Sequence, residues 1–180
     1  SDLMMEITFN NKPVIAKVHG AAFAAGCQLV ASCDLALSDK EAIFSTPGVN
    51  IGLFCSTPMV ALSRKVNRKI SMKMLLTGEH ISAQEAFRLG LVHEVVPQSN
   101  LINSANIIAN QISQGAPLAI KAIKQAIRYT QSLPPELVAR LLSPIVKPSY
   151  SSQDAIEGPR AFAEKRAPTV SYTHLRAHET

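Results

Sequence analysis

The segment Gly20–Gln28, GAAFAAGCQ, is the stretch of this sequence best suited to chemistry. Alanines and glycines, broken by Phe23, lead into a helical pattern carried by Leu29, Val30 and Cys33. Small side chains at such a junction leave the backbone N–H groups of a helix N-terminus uncovered. Unpaired donors and the positive dipole end then favour negative charge. The N–H near Ala25 is the donor that this pattern puts forward for a developing oxyanion, a contact worth about 3–4 kcal/mol of barrier. The same composition also serves close packing of strand on helix, so the pattern alone leaves both uses open.

Other reactive side chains are scattered. Cys55 and Ser56 fall in a loop that starts a helix; a thiol with a reference pKa near 8.5 needs a partner to ionise, and none stands nearby in sequence. Without one, Cys55 is a small apolar packer and Ser56 a helix cap. His19, before Gly20 at a strand end, reads as structural, and Asp34, at the far end of the helix from Ala25, as a capping or turn residue. His80 and His93 sit beside turn and strand signals and read as surface groups. Cys27, Cys33 and Cys55 are an odd count with no Cys-x-x-Cys or His/Cys ligand spacing. That argues against a disulfide framework or a metal site and for a reducing compartment.

The elements that must hold these groups follow from the apolar periodicity. Lys12–Val18 reads as a buried strand opened by Pro13, Gly20–Gly26 as a loop, Cys27–Cys33 as a helix and Asp34–Leu37 as a second strand. That is a βαβ unit, and a parallel sheet follows from it. Met59–Leu76 is helical with a break near Asn67. The basic residues among its apolar ones (Arg64, Lys65, Arg68, Lys69, Lys73) read as a solvated face, with an anion site as the other reading. Ser82-Ala83-Gln84-Glu85 has the form of a capping box, and the helix it opens should end at Gly90. Leu91–Val96 reads as a strand stopped by Pro97. Helices then fill Leu101–Arg128, broken at Gly115–Pro117, followed by Pro135–Leu142 and Gln153–Lys165. Strands come early and helices late, in an α/β chain.

The 180 residues are 47% apolar and 17% charged, which suits one globular domain and excludes a disordered chain. The net charge of +5 suits polyanionic partners without choosing among them. No apolar run approaches the roughly 18 residues that a membrane span needs. Ser1–Asn10 resembles the end of an amphipathic helix, and the chain reads as beginning mid-protein. Val170–Thr180, VSYTHLRAHET, has no periodicity joining it to what precedes. It is similar to one reading frame of a transposase sequencing adaptor and is expected to be a non-native tail. The organisation expected is therefore a partial core over 1–100, a helical region over 101–169 and the tail over 170–180.

Lys12–Asp34, KPVIAKVHGAAFAAGCQLVASCD, resembles the core signature of the crotonase superfamily, the enoyl-CoA hydratases and isomerases. The likeness continues through Phe44–Gly48, Leu76–Ala86, Gly90–Val92, Glu157-Gly158 and Ala161–Arg166, and the run Thr46–Pro58 resembles one branch of that family. The resemblance implies a crotonase-like ββα spiral, partial here, followed by a helical C-terminal trimerisation region, with trimers or dimers of trimers. It implies an acyl-CoA thioester held against two backbone N–H groups, one at Ala25 and the other in a segment upstream of Ser1. Phe23, Ala24, Gly26 and Pro47 would line the same site. Phe162 and Lys165 match positions that meet the adenine and phosphate end of CoA; a helix packing Phe162 and solvating Lys165 is the alternative. No cofactor is implied beyond the coenzyme A of the substrate, and no metal. Mitochondrial placement and a role in fatty-acid metabolism are implied in the same way.

The departures from the family pattern fall at its two working glutamates. Aligned residue by residue, the first is Gln28 and the second Gly48. An amide can hydrogen-bond a water but cannot take its proton near neutral pH, and a glycine can do neither. General acid–base groups contribute about 10²–10⁴-fold each, so ordinary hydration should be severely impaired. The reading that follows is an acyl-CoA-binding protein working by oxyanion stabilisation of a thioester enolate, with Cys55 and Ser56 as replacement groups to weigh. Its rivals are an isomerase, decarboxylase or thioesterase on the same scaffold, or a catalytically silent module binding acyl-CoA or RNA. The basic run Arg64–Lys73 motivates the RNA version.

Overall fold

A short N-terminal helix, α1 (Asp2–Phe9), precedes the predicted βαβ unit. That unit forms as β1 (Ile15–Val18), α2 (Ala25–Ser32) and β3 (Leu35–Asp39), with β1 and β3 parallel and Ile15 opposite Leu35. The computed structural model describes residues 2–131 and 133–171. Thr173–Thr180 and Tyr172, most of the expected tail, lie outside them.

The loop expected over Gly20–Gly26 contains a further strand, β2 (Ala21–Phe23), which pairs in parallel with β4 (Ile43–Ser45). Small residues fit both a loop and a strand pressed on a neighbour, and β2 is too short for a periodicity to show. The chain thus runs strand, strand, helix and then strand, strand again, a ββα spiral. Each pair splits between two sheets. One is β1-β3-β6, where β6 (Glu94–Val96) adds in parallel to β3; the other is β2-β4-β5, where β5 (Ile81–Ser82) adds antiparallel to β4.

The break near Asn67 separates α3 (Ser56–Leu62) from α4 (Arg68–Thr77), and the Asn67 side chain caps α4 by accepting from the Ile70 N–H at 3.1 Å. Ser82 caps α5 (Ala83–Arg88) by accepting from the Glu85 N–H. The second half of the predicted box does not form, because the Glu85 carboxylate pairs with the Arg88 guanidinium, 2.9 Å from Nε. Gly90, at φ +79°, makes the left-handed turn expected of it. Leu91 and Val92 are not in a strand. Their N–H groups donate to the Ala86 carbonyl and close α5, so only Glu94–Val96 pairs.

The helical part holds α6 (Leu101–Ser113), α7 (Pro117–Thr130), α8 (Pro135–Tyr150) and α9 (Gln153–Ala163). α8 runs past its predicted end at Leu142 with Pro144 and Pro148 inside it. Four residues apart, both lie on one exposed side, where the ring bulk meets water and the carbonyls of Arg140 and Pro144, left without a helical donor, can be solvated. By compactness the chain divides into two units, Ser1–Asn10 with Val14–Ile107, and Asn11–Pro13 with Ile108–Thr180. The first holds the main core, where Cys27, Val30 and Ala31 of α2 join Phe44, Leu62, Met74, Ala83 and Ala86.

Candidate functional site

The first unit brings the junction between β2 and α2 against the last residue of β4. Phe23 stands opposite Ser45 in the strand pair, and the next N–H, that of Ala24, donates to the Ser45 carbonyl at 2.9 Å. Ala24 then turns sharply, with φ +46° and ψ −110°, a backbone region that alanine adopts only when its surroundings enforce it. Its carbonyl accepts the first helical bond, from the Gln28 N–H at 3.0 Å.

The N–H groups of Ala25, Gly26 and Cys27 lie between those two anchors. Among the described residues none of the three has an acceptor, and no side chain caps α2. Ala25 and Gly26 are exposed. Uncovered donors at a helix N-terminus, with the dipole behind them, suit an oxyanion. Phe23, half-buried, leans its ring on exposed His80 with centroids 4.6 Å apart.

Gln28 is one turn into α2 and is 9% exposed. Its Oε1 accepts from the Thr57 hydroxyl of α3 at 2.9 Å, a contact that sequence reading missed. Nothing in the spacing of Gln28 and Thr57 signals it, since the two residues meet only when α2 packs on α3.

Gly48 is buried in the 3₁₀ turn Pro47–Ile51, which half-buried Pro47 opens. A Cβ built there would lie 2.6 Å from the Cys55 Sγ and 3.0 Å from the Leu53 carbonyl oxygen. The space of a side chain at position 48 is therefore already taken by the Cys55 thiol and the Leu53 backbone. Cys55 is half-buried. Behind it, Cys27 is fully buried, and burial, with Cys55 adding to it, pushes its thiol from an ordinary 9.0 up to about 12. Ser56 is exposed and is the first residue of α3 rather than its cap; the cap position is Cys55, whose side chain makes no capping bond.

Ala24–Gln28, Pro47-Gly48 and Cys55–Thr57 thus form one connected group. Phe162 and Lys165 belong to the second unit, at and just beyond the end of α9. Phe162 is 87% exposed, which sets aside the reading in which it packs in a core, and Lys165 is exposed at φ +54°. Of the remaining candidates, Asp34 was expected to cap or turn; instead its Oδ2 accepts from the Val14 N–H at 2.7 Å, twenty residues upstream, and ties the start of β3 to the segment before β1. His19 is exposed. His93, also exposed, accepts at Nδ1 from the Ala36 N–H while its backbone N–H donates to the Ala36 carbonyl, which ties it to β3. The basic residues of α4 and the turn before it are exposed, and Lys73 pairs with Glu79 at 2.9 Å. Among the described residues no helix is long and apolar enough to cross a membrane.

Residues 1–172 match the sequence profile of a family described as Enoyl-CoA hydratase/isomerase. The chain is 47% identical over 174 residues to the enoyl-CoA hydratase domain-containing protein 3, mitochondrial, of Rattus norvegicus, covering 96% of this chain and 57% of that protein. It is 40% identical over 170 residues to the carnitinyl-CoA dehydratase of Salmonella typhi, with 92% of this chain and 65% of that enzyme covered. The crystal structure of human enoyl Coenzyme A hydratase domain-containing protein 3 superposes with a TM-score of 0.87 at 43% identity, over 93% of this chain and 66% of that one. The chain therefore spans little more than half the length of the rat relative it matches.

Proposed function

The chain belongs to the enoyl-CoA hydratase/isomerase family, the crotonase superfamily, and from that footing we propose that it binds an acyl-CoA thioester and polarises it without a pair of catalytic glutamates. The thioester carbonyl oxygen sits against the N–H of Ala25, with Phe23, Ala24, Gly26 and Pro47 around it. Charge that develops on that oxygen as an enolate forms is stabilised by the α2 N-terminus. The observation that carries this reading is the set of uncovered amides at Ala25–Cys27 beside an amide at position 28 and a side-chain-free position 48.

Neither Gln28 nor Gly48 can exchange a proton with water at neutral pH, so the proposed chemistry is enolate stabilisation rather than hydration. Phe162 and Lys165 are proposed to take the adenine and phosphate end of coenzyme A, and the reaction needs no cofactor besides. Placement in the mitochondrion is proposed from the name of the rat relative, and assembly as trimers or dimers of trimers and a role in fatty-acid metabolism are proposed from the family resemblance.

The test is direct. Crotonyl-CoA should bind, and its hydration should run at least about 10²-fold slower than in a relative with both glutamates. A hydratase-like rate overturns the reading of positions 28 and 48, and failure to bind any acyl-CoA overturns the site. Release of free CoA or carbon dioxide from a panel of thioesters would identify a thioesterase or a decarboxylase on the same scaffold.

A further inference from the structure

We propose that Gln28 donates a hydrogen bond to the acyl chain and so selects thioesters with an acceptor oxygen on the third carbon, 3-oxoacyl chains above all. This rests on the α2 N-terminus being the seat of the thioester carbonyl. A side-chain amide has one acceptor oxygen and an NH₂ group that can only donate. In Gln28 the oxygen is committed, since it accepts from the Thr57 hydroxyl at 2.9 Å. That bond fixes which end of the planar amide faces α3 and turns Nε2 the other way. Among the described residues Nε2 has no acceptor, and it is not one of the polar atoms sealed off from solvent without a partner, so it keeps some contact with solvent.

The side it is reached from follows from helix geometry. Gln28 is three residues after Ala25, so the two share a face of α2, and helical side chains lean toward the N-terminus. The Gln28 amide therefore overlies the same turn whose backbone N–H groups are uncovered. A thioester oxygen at the Ala25 N–H puts the third acyl carbon two bonds beyond the carbonyl carbon, on that face. With 9% of Gln28 exposed, a bound chain closes Nε2 off from solvent. A chain with no oxygen there leaves the donor unsatisfied, while a 3-oxo group accepts it. A 3-hydroxyl can accept too, but brings a proton that needs its own partner. A glutamate at this position would have the opposite preference.

Titration calorimetry of the whole chain with butyryl-CoA, 3-hydroxybutyryl-CoA and 3-oxobutyryl-CoA tests this. The 3-oxo ligand should bind about tenfold more tightly than butyryl-CoA, the gain of one well-placed hydrogen bond. Gln28→Leu should erase that ratio, bringing the 3-oxo ligand to within about twofold of butyryl-CoA in the same variant. Gln28→Glu, with no donor, should make the 3-oxo ligand the weakest of the three. Thr57→Val should reduce the preference by freeing the amide to rotate, and Thr57→Ser should keep it. Equal affinities in the unaltered chain, or a preference that survives both Gln28 substitutions, overturns the proposal while leaving the acyl-CoA site standing. Failure to bind any of the three overturns both.

Discussion

At the scale of single residues, Gly48 and Cys55 have to be considered as a pair. A side chain at position 48 would start 2.6 Å from the Cys55 Sγ, closer than a real Cβ is ever found, with the Leu53 backbone at 3.0 Å on another side. Gly48→Glu, the obvious attempt to restore the missing carboxylate, is therefore expected to destabilise the protein by about 1–3 kcal/mol and to restore no hydration. Adding Cys55→Gly should recover most of the stability, and thermal melts of the single and double variants measure it. Cys27 gives a second expectation. Its folded-state thiol lies near 12 against an ordinary 9.0. The unfolded chain thus loses the proton first, and the stability held by the neutral buried thiol is complete below about pH 9 and drains away as pH rises toward 12. Cys27→Ala should flatten that alkaline window in denaturant melts run from pH 8 upward, relative to the unaltered chain measured at the same pH values, each normalised to its own stability at about pH 8.

At the scale of elements, α9 and the residues after it are joined by Glu157. Its carboxylate takes both terminal nitrogens of Arg166, Nη2 at 3.0 Å, and accepts from the Thr169 N–H at 3.0 Å. Those donors, Arg166 first, hold Glu157 down to about 2. The contribution of this contact is present above the ordinary carboxylate value of 4.5 and is lost as pH falls toward 2. The Thr169 amide resonance should therefore shift with a midpoint near 2, and in Glu157→Gln that transition should be gone. Much at this scale was legible beforehand. The β1–α2–β3 unit, the Asn67 break, the Ser82 cap and the Gly90 turn are each written in local residue chemistry. What was not legible depends on contacts distant in sequence. Ala21–Phe23 is a strand only because Ile43–Ser45 lies beside it, and α8 passes two prolines because both face water. The site divides the same way. Ala25, Gln28 and Gly48 could be picked out from their positions in a motif, whereas the Thr57 bond and the crowding at Gly48 exist only once α2 and α3 have met.

At the scale of the whole molecule, large apolar side chains remain on the surface. Ile51, Leu53 and Phe54, which follow Gly48, are 74%, 62% and 72% exposed. Adjacent exposed apolar groups of this size suit an interface better than a free surface. Analytical ultracentrifugation should accordingly find trimers or dimers of trimers, and a monomer at micromolar concentration would remove that part of the proposed function. The anchoring of Ala24 has a consequence at this scale too. Its N–H is bolted to β4 and its carbonyl to the first turn of α2, both built into the main core. The Ala25 donor cannot swing toward an approaching oxygen; it waits in place, and heating should not loosen it ahead of everything else. Affinity for ligand and cooperative melting of the core should vanish together, at one temperature.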